Sequence, residues 1–501
     1  MMEMLTDYQI DDVPNIMDVK TELISPINTS TNSYKATFRL DTASYLDNNS
    51  MLLFKAVAKD ATVGADQVRF NAFNGCLGAI DRVQMRLGGY TIQNLSDAGL
   101  WATLNVLYAQ RPDVQNKYWS HYFQNCLQAG VASSTADADL AKSSDAGKNA
   151  TTGSFVIKSA DNGVDYGAAA NGDGAKVNNC RITETADNNF LCAIPLSVIV
   201  PALANRTLPL FLFEDYRVHI DVFFNQKASE YANRCPAAGT GSAANLACTD
   251  GDIKFAEVQM LVDYLILPSS VQDEERAETA KEGGYNLEFM NTVNVKKRLP
   301  AAQANVTQLD QHRINSENQE VHYVQMTRKF EADQGANSNK VLLGQRVDGV
   351  SIENIQFSVN GVDTYPEPYF SPISQYNQLC DTLAGDLEVP KPLYCADVNT
   401  QYSLLSAPES GLHGKFKPLG LSLRNGNGGI RFSGKQIASY PIVAKYSRKP
   451  HPIVNSNPLG GGASNIALAE TGAMDVNYFV GMTRIANIKE SPRGMLVNVV
   501  N

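Results

Sequence analysis

The chain of 501 residues is longer than one hydrophobic core usually serves, since cores stop growing near roughly 250–300 residues, so two domains are expected. With 44% hydrophobic and 19% charged residues, 36 glycines and 21 prolines, the composition excludes a disordered chain and describes a folded, turn-rich one. A formal net charge of −10 argues against a protein that neutralises phosphate, and hence against direct sequence-specific nucleic-acid binding.

Residues 1–26 read as an acidic arm, with Glu3, Asp7, Asp11, Asp12, Asp18 and Glu22 set against Lys20 alone. Residues 33–40 then alternate, Tyr34, Ala36, Phe38 and Leu40 inward, and residues 51–56 form a second strand. In residues 80–97, Val83, Met85 and Leu87 alternate with Arg82, Gln84 and Arg86, and Gly88 and Gly89 supply the positive φ of a tight hairpin. Ser96 or Asp97 can cap a helix over 98–109, and Pro112 can open another carrying Trp119 and its aromatic neighbours. Residues 128–178 are dominated by Ala, Ser, Asp, Gly and Asn and cannot form a core, so they read as a surface insert; residues 236–251 read as a smaller one.

Residues 191–224 are the stretch around which the chain is organised. Pro195, Pro201 and Pro209 cannot donate to a strand ladder, so they cut an apolar run into short strands with sharp corners, of which Leu208 is part. Val218, Ile220, Val222 and Phe224 then face one way and Arg217, His219 and Asp221 the other, the period of a half-buried strand. Short strands with sharp corners suit a jelly-roll sandwich. Residues 254–267 close this unit, and the charged run at 268–284 reads as a linker with a short helix.

Strands resume at 321–330, and residues 353–361 repeat residues 81–89: acidic matches acidic, Gln matches Gln, the inward positions agree, and Asn360 and Gly361 stand where Gly88 and Gly89 stood. The halves close on related strands as well, with Tyr264 after Val262 and Asp263, and Tyr478 after Val476 and Asn477. Without the 128–178 insert the halves are nearly equal in length. The expected fold is all-β: two tandem eight-stranded jelly-roll β-sandwiches with short helices and long surface loops. The expected limits are an arm at 1–26, a first jelly roll at 27–267, a linker at 268–290, a second jelly roll at 291–486 and a tail at 487–501. Three such chains can close into a ring of six lobes with a near-hexagonal outline, and hexagons tile a surface.

Catalytic and metal readings find little support. Six histidines (His121, His219, His312, His322, His413, His451) lie far apart, without the cluster a cupin-like metal site needs. Residues 429–436 nearly spell a phosphate-binding loop, but Gln436 replaces the Ser or Thr that would hold Mg²⁺, and Ile430 and Phe432 alternate as in a strand. The insert's aspartates lack calcium-loop spacing, and Tyr365, Tyr369 and Phe370 read as packing residues. Eight scattered cysteines read as free thiols of a reducing compartment, which leaves the sequon at Asn205 unused. No secretory signal or membrane span is legible, and the chain is expected to fold in solution. No cofactor and no enzymatic activity are expected.

Three segments in order resemble one family. They are residues 81–92 with the Trp- and Leu-bearing helix that follows, then Ile194, Pro195 and Leu196 with Leu208, Pro209, Leu210 and the alternating 218–224, and then 262–264 followed by Glu274, Glu275 and Arg276. Together they resemble the double jelly-roll major capsid proteins of large nucleocytoplasmic DNA viruses, virophages and polinton-like viruses; the second half is similar chiefly in its strand pattern. The resemblance implies a non-enzymatic homotrimeric, pseudo-hexameric capsomer of an icosahedral virion, assembled in the host cytoplasm or nucleus, with the insert as an outer tower. As partners it implies neighbouring capsomers, penton and minor capsid or cement proteins, an internal membrane, and a host receptor met by surface loops. The apolar carboxy-terminal tail is expected to dock on such a neighbour. The alternative is a jelly-roll receptor-binding or carbohydrate-binding spike or fibre, with a glycan-cleaving enzyme further behind.

Overall fold

The structure is a computed structural model. It describes residues 18–28, 34–42, 44–47, 49–58, 67–70, 75–108, 181–182, 191–204, 207–213, 217–235, 253–281, 283–301, 306–314, 320–330, 352–364, 419–423, 430–431, 442–448, 473–489 and 496–500. The expected insert at 128–178, the smaller one at 236–251, the aromatic groups around Trp119 and Tyr365, and His121, His413 and His451 lie outside the described residues.

Eight strands build the first lobe: β1 (Asp18–Ile24), β2 (Lys35–Arg39), β3 (Met51–Ala58), β4 (Ile80–Leu87), β5 (Tyr90–Ser96), β6 (Leu191–Pro195), β7 (Val218–Phe224) and β8 (Ile253–Ile266). They pair, everywhere antiparallel, into one sheet ordered β1-β8-β3-β6 and another ordered β2-β7-β4-β5. The second lobe follows with β9 (Tyr285–Leu299), β10 (Gln308–Ile314), β11 (Glu320–Phe330), β12 (Ile352–Val359), β13 (Val362–Asp363), β14 (Leu419–Ser422), β15 (Ile442–Arg448) and β16 (Met474–Lys489). Its sheets are ordered β9-β16-β11-β14 and β10-β15-β12-β13. Adding eight to each strand number of the first lobe reproduces the second. Each lobe is the jelly roll expected, and β4 and β12, matched from sequence, hold the same place in it.

Short strands extend two of the sheets and form a small three-stranded sheet of their own. Leu208–Pro209 pairs with Tyr45–Leu46, Ile430–Arg431 pairs with the start of β11, and Gln67–Phe70 lies between Arg181–Ile182 and Ala232–Cys235. Ile430 is thus in a strand, the reading that opposed a phosphate loop. Three α-helices are described: α1 (Ala98–Tyr108), the single turn α2 (Leu196–Ile199) that Pro195 opens, and α3 (Ser269–Lys281) between the lobes.

Alternation decides which side chains enter the cores. In the first lobe Phe38, Val83, Met85, Leu87, Ile220 and Val222 from one sheet meet Leu52, Phe54, Met260 and Val262 from the other. Phe224 and Phe255 stack at 4.2 Å between ring centroids, and Phe54 sets its edge against both. In the second lobe Ile355, Phe357, Ile442 and Ala444 face Val324, Met326, Val476, Tyr478 and Val480. Each large side chain so buried stabilises the fold by about 1.5–3 kcal/mol.

Strand pairing reaches into residues read from sequence as connections. β1 lies in the expected arm yet pairs along its whole length with β8; β9 begins within the expected linker, and β16 runs past 486. An edge strand buries little on its outer side, so the Asp, Lys and Glu of β1 masked its alternation. We propose strand pairing as the criterion for the lobes, with the first at 18–267 and the second at 285–500. The tail is taken up within its own chain: Leu496–Val500 pairs with Ile485–Lys489 of β16.

Candidate functional site

The residues singled out from sequence sit at turns and in cores. The β4–β5 hairpin closes through Gly88 and Gly89, with Leu87 opposite Tyr90, and Gly88 carries φ 56° at the first central position, as a type II′ turn asks. In the β12–β13 hairpin both central residues are left-handed, Asn360 at 52° and Gly361 at 82°, as type I′ requires. The matched positions thus serve the same end with different turns.

Pro195 ends β6 opposite Met51, Leu208 and Pro209 are buried against Leu46 and Tyr45, and Ile220 lies fully buried between Phe38 and Met85. Tyr264 and Tyr478 occupy corresponding strands, and both hydroxyls cross their sandwich to the facing sheet. The Asp41 amide, just beyond β2, donates to the Tyr264 hydroxyl at 3.1 Å, and Tyr478 lies 2.6 Å from Nδ1 of His312 on β10. Burial pushes the Tyr264 pKa up to about 12.

Asp221, read as outward-facing, is buried on that outer side of the sheet. Arg86 donates from Nη2 to its Oδ1 at 3.0 Å and sets Nε 2.7 Å from Oδ2, while Lys35 lies 3.5 Å away. Burial alone would raise this carboxyl, but the Arg86 and Thr37 hydrogen bonds and the Arg86 and Lys35 charges outweigh it and hold its pKa below the ordinary value. Arg82 and Lys35 lie over the adjacent Phe223 ring.

Two further groups tie the parts together. Asn294 of β9 donates to the Asp97 carboxylate at 2.7 Å and Lys296 approaches it at 2.5 Å, joining the second lobe to the turn between β5 and α1. Phe479 and the start of β9 join the first lobe's core, with Phe213 set edgewise on Tyr285 at 5.9 Å. On α3 the Tyr45 hydroxyl donates to Glu275 at 2.6 Å and Arg276 lies over Phe211. Neither contact joins residues close in sequence; Glu275 and Arg276 stood out in the sequence, but their partners Tyr45 and Phe211 did not.

Among the described residues no three His, Cys, Asp or Glu side chains gather as a metal site, and no helix is long and apolar enough to cross a membrane. Cys76 and Cys192 are buried thiols whose side chains interact with each other. Among the described residues Val19, Leu23, Ile27, Tyr90, Leu191, Val306, Leu309 and Val362 are large apolar side chains left exposed.

No family model and no curated protein matches the sequence. A structure of PBCV-1 VP54, fitted into a reconstruction of the virophage Sputnik, matches at TM-score 0.55 with 8% identity, over 97% of this chain and 97% of that one. The fold is a double jelly roll. A structure of the Sputnik virophage matches at TM-score 0.49 with 9% identity, over 97% of this chain and 89% of that one. The Faustovirus major capsid protein matches at TM-score 0.48 with 9% identity, over 94% and 90%. In this double jelly roll the Asp97 contact joins the two rolls, and the buried Arg86–Asp221 pair covers the outer side of a sheet.

Proposed function

We propose that this chain is a non-enzymatic structural subunit of a viral shell, a major capsid protein that assembles as a homotrimeric capsomer of six lobes. The observation that carries the reading is the one strand order repeated in both lobes, over a chain whose whole length follows that of a viral double jelly roll. Two like lobes per chain make a threefold ring nearly sixfold, and such a ring packs a surface with quasi-equivalent neighbours. The ordered motifs around Gly88, Pro195 and Tyr264 and the exposed apolar residues agree with this. Neighbouring capsomers, penton and minor capsid proteins are the partners such a subunit meets in a virion, and surface loops are its route to a receptor.

The test is the assembly state of the expressed protein. Mass photometry at nanomolar concentration is expected to give three chains per particle, with six lobes in negative-stain images. A stable monomer, or one that binds glycans without higher assembly, would overturn the reading.

A further inference from the structure

The outward side of the β2-β7-β4-β5 sheet is basic. Lys35 and Arg39 stand on it from β2, Arg82 and Arg86 from β4, and Arg217 just before β7, around Asp221 at the centre. Asp41 and Asp81 at its ends still leave the sum positive. Register lines up Arg39, His219 and Arg86 in one row across three strands, and Lys35, Phe223 and Arg82 in another. The Arg82 guanidinium lies 3.9 Å from the centroid of the Phe223 ring and the Lys35 ammonium 5.1 Å from it. Arg86 and Lys35 are engaged with Asp221, whereas Arg39 and Arg217 are exposed and make no ion pair among the described residues.

The fold does not require this charge. Leu87 and Val359 hold the same place before their hairpins, and each pairs with the strand beside it, at Val218 and at Ile442. Stepping along the strands from there, Lys35 answers to Leu309, Arg82 to Asn354 and Arg86 to Ser358, while Arg39 answers to Arg313. Asp221 answers to Lys445, whose ammonium lies 2.9 Å from Asp363. One strand arrangement thus carries two different outward faces, and the basic one belongs to the first lobe.

The same chain carries the complement. Residues 1–17, which precede β1 and lie outside the described residues, contain Glu3, Asp7, Asp11 and Asp12 and no Lys or Arg. They join the fold beside the basic face, for β1 sets Lys20 opposite Tyr264, and the Tyr264 hydroxyl accepts from the Asp41 amide two positions beyond Arg39. A segment of that length can span up to about 60 Å, and the face is only about 10–15 Å across. We propose that residues 1–17 dock across this face of their own chain, with carboxylates against Arg39 and Arg217 and apolar side chains towards Phe223. Held there, the segment keeps other polyanions off the sheet. The proposal does not rest on the trimer, because face and segment belong to one chain.

Three full-length proteins test it: wild type, a face variant with Arg39→Glu and Arg217→Glu, and an arm variant with Glu3→Gln, Asp7→Asn, Asp11→Asn and Asp12→Asn. Both arginines are exposed, so the face variant is expected to keep its fold by circular dichroism. A water-soluble carbodiimide, which condenses a carboxylate with an amine, is expected at low salt to join Lys35 to the arm's acidic residues, as read by peptide mass spectrometry. The yield should fall about tenfold or more in the face variant, where like charges meet, and in wild type at high salt. Absence of the link in wild type, or a yield that the face variant leaves unchanged, would overturn the proposal. In a mixture of isotopically light and heavy chains the links are expected within chains; links between light and heavy chains would overturn the assignment to the segment's own chain. Heparin, used as a polyanion probe, is expected to bind the arm variant about tenfold more tightly than wild type, and equal affinity would mean that the arm does not cover the face.

Discussion

Lys296 of the second lobe places its ammonium 2.5 Å from the carboxylate of Asp97 in the first, and Asp97 sits at φ 51° in the turn that starts α1. Burial would pull the lysine down, but attraction to Asp97, with Asp81 and Glu230 behind it, outweighs this and holds its pKa above the usual lysine value. A raised folded pKa adds stability that is complete below the ordinary lysine pKa and fades as pH rises through the folded one. Lys296→Met is therefore expected to weaken the joint between lobes by about 1 kcal/mol or less, because water screens a half-exposed pair. Denaturant melts should show a wild-type advantage that is steady from neutral pH to about 10 and shrinks above it.

Arg86→Met is expected to do more. It strips the bidentate partner from a buried carboxylate and leaves Asp221 with Lys35 at 3.5 Å. Breaking a buried pair from one side costs about 3–5 kcal/mol, whereas removing both charges is far milder, so Arg86→Met with Asp221→Asn should recover much of the loss. The lowered folded pKa of Asp221 means that its contribution is present above the ordinary aspartate pKa and is lost as pH falls through the folded value. Urea unfolding of the single and double variants measures the difference, and equal losses in both would show that the charges are not coupled.

This pair also marks where reading the sequence stops. The alternation of Val218, Ile220, Val222 and Phe224 was legible because a half-buried strand writes its period into adjacent residues, and the match of β4 with β12 was legible because each hairpin needs its turn residues at one offset. Asp221 obeyed the same alternation, but what covers it comes from Arg86 on another strand, 135 positions away, and a local pattern cannot reveal this. The same holds for Asp97 with Asn294, 197 positions apart. β1 escaped because an edge strand with one exposed face needs no clean period.

Glu275 gives a prediction with the opposite sign. Burial pushes its carboxyl above the usual range, and Glu278 and Glu274 add to this, while the hydrogen bond from Tyr45 pulls it back. A carboxyl with a raised folded pKa loses stability as pH rises through that range, because the folded state holds the proton longer. Glu275→Gln keeps an oxygen to accept from Tyr45 and removes the charge. It is expected to stabilise the protein by up to about 1 kcal/mol at neutral pH and to match wild type near pH 4. Thermal melts at both values check this, and a destabilised variant at neutral pH would show that the charge holds α3 in place.

Tyr264 tests the correspondence between lobes at alkaline pH. Tyr264→Phe leaves the Asp41 amide without the hydroxyl it donates to, and Tyr478→Phe does the same to His312, so each is expected to lose about 1 kcal/mol near neutrality. The Tyr264 hydroxyl, pushed by burial to about 12, stays protonated in the folded lobe after the unfolded chain has ionised near 10. Between these values the folded state binds the extra proton, so wild-type stability falls as pH rises, and the phenylalanine variant lacks that fall. The gap between wild type and Tyr264→Phe should therefore narrow from pH 8 to pH 11 and then reverse. A gap that stays constant across this range would mean that the hydroxyl reaches water, and that the crossing from β8 to the end of β2 is open.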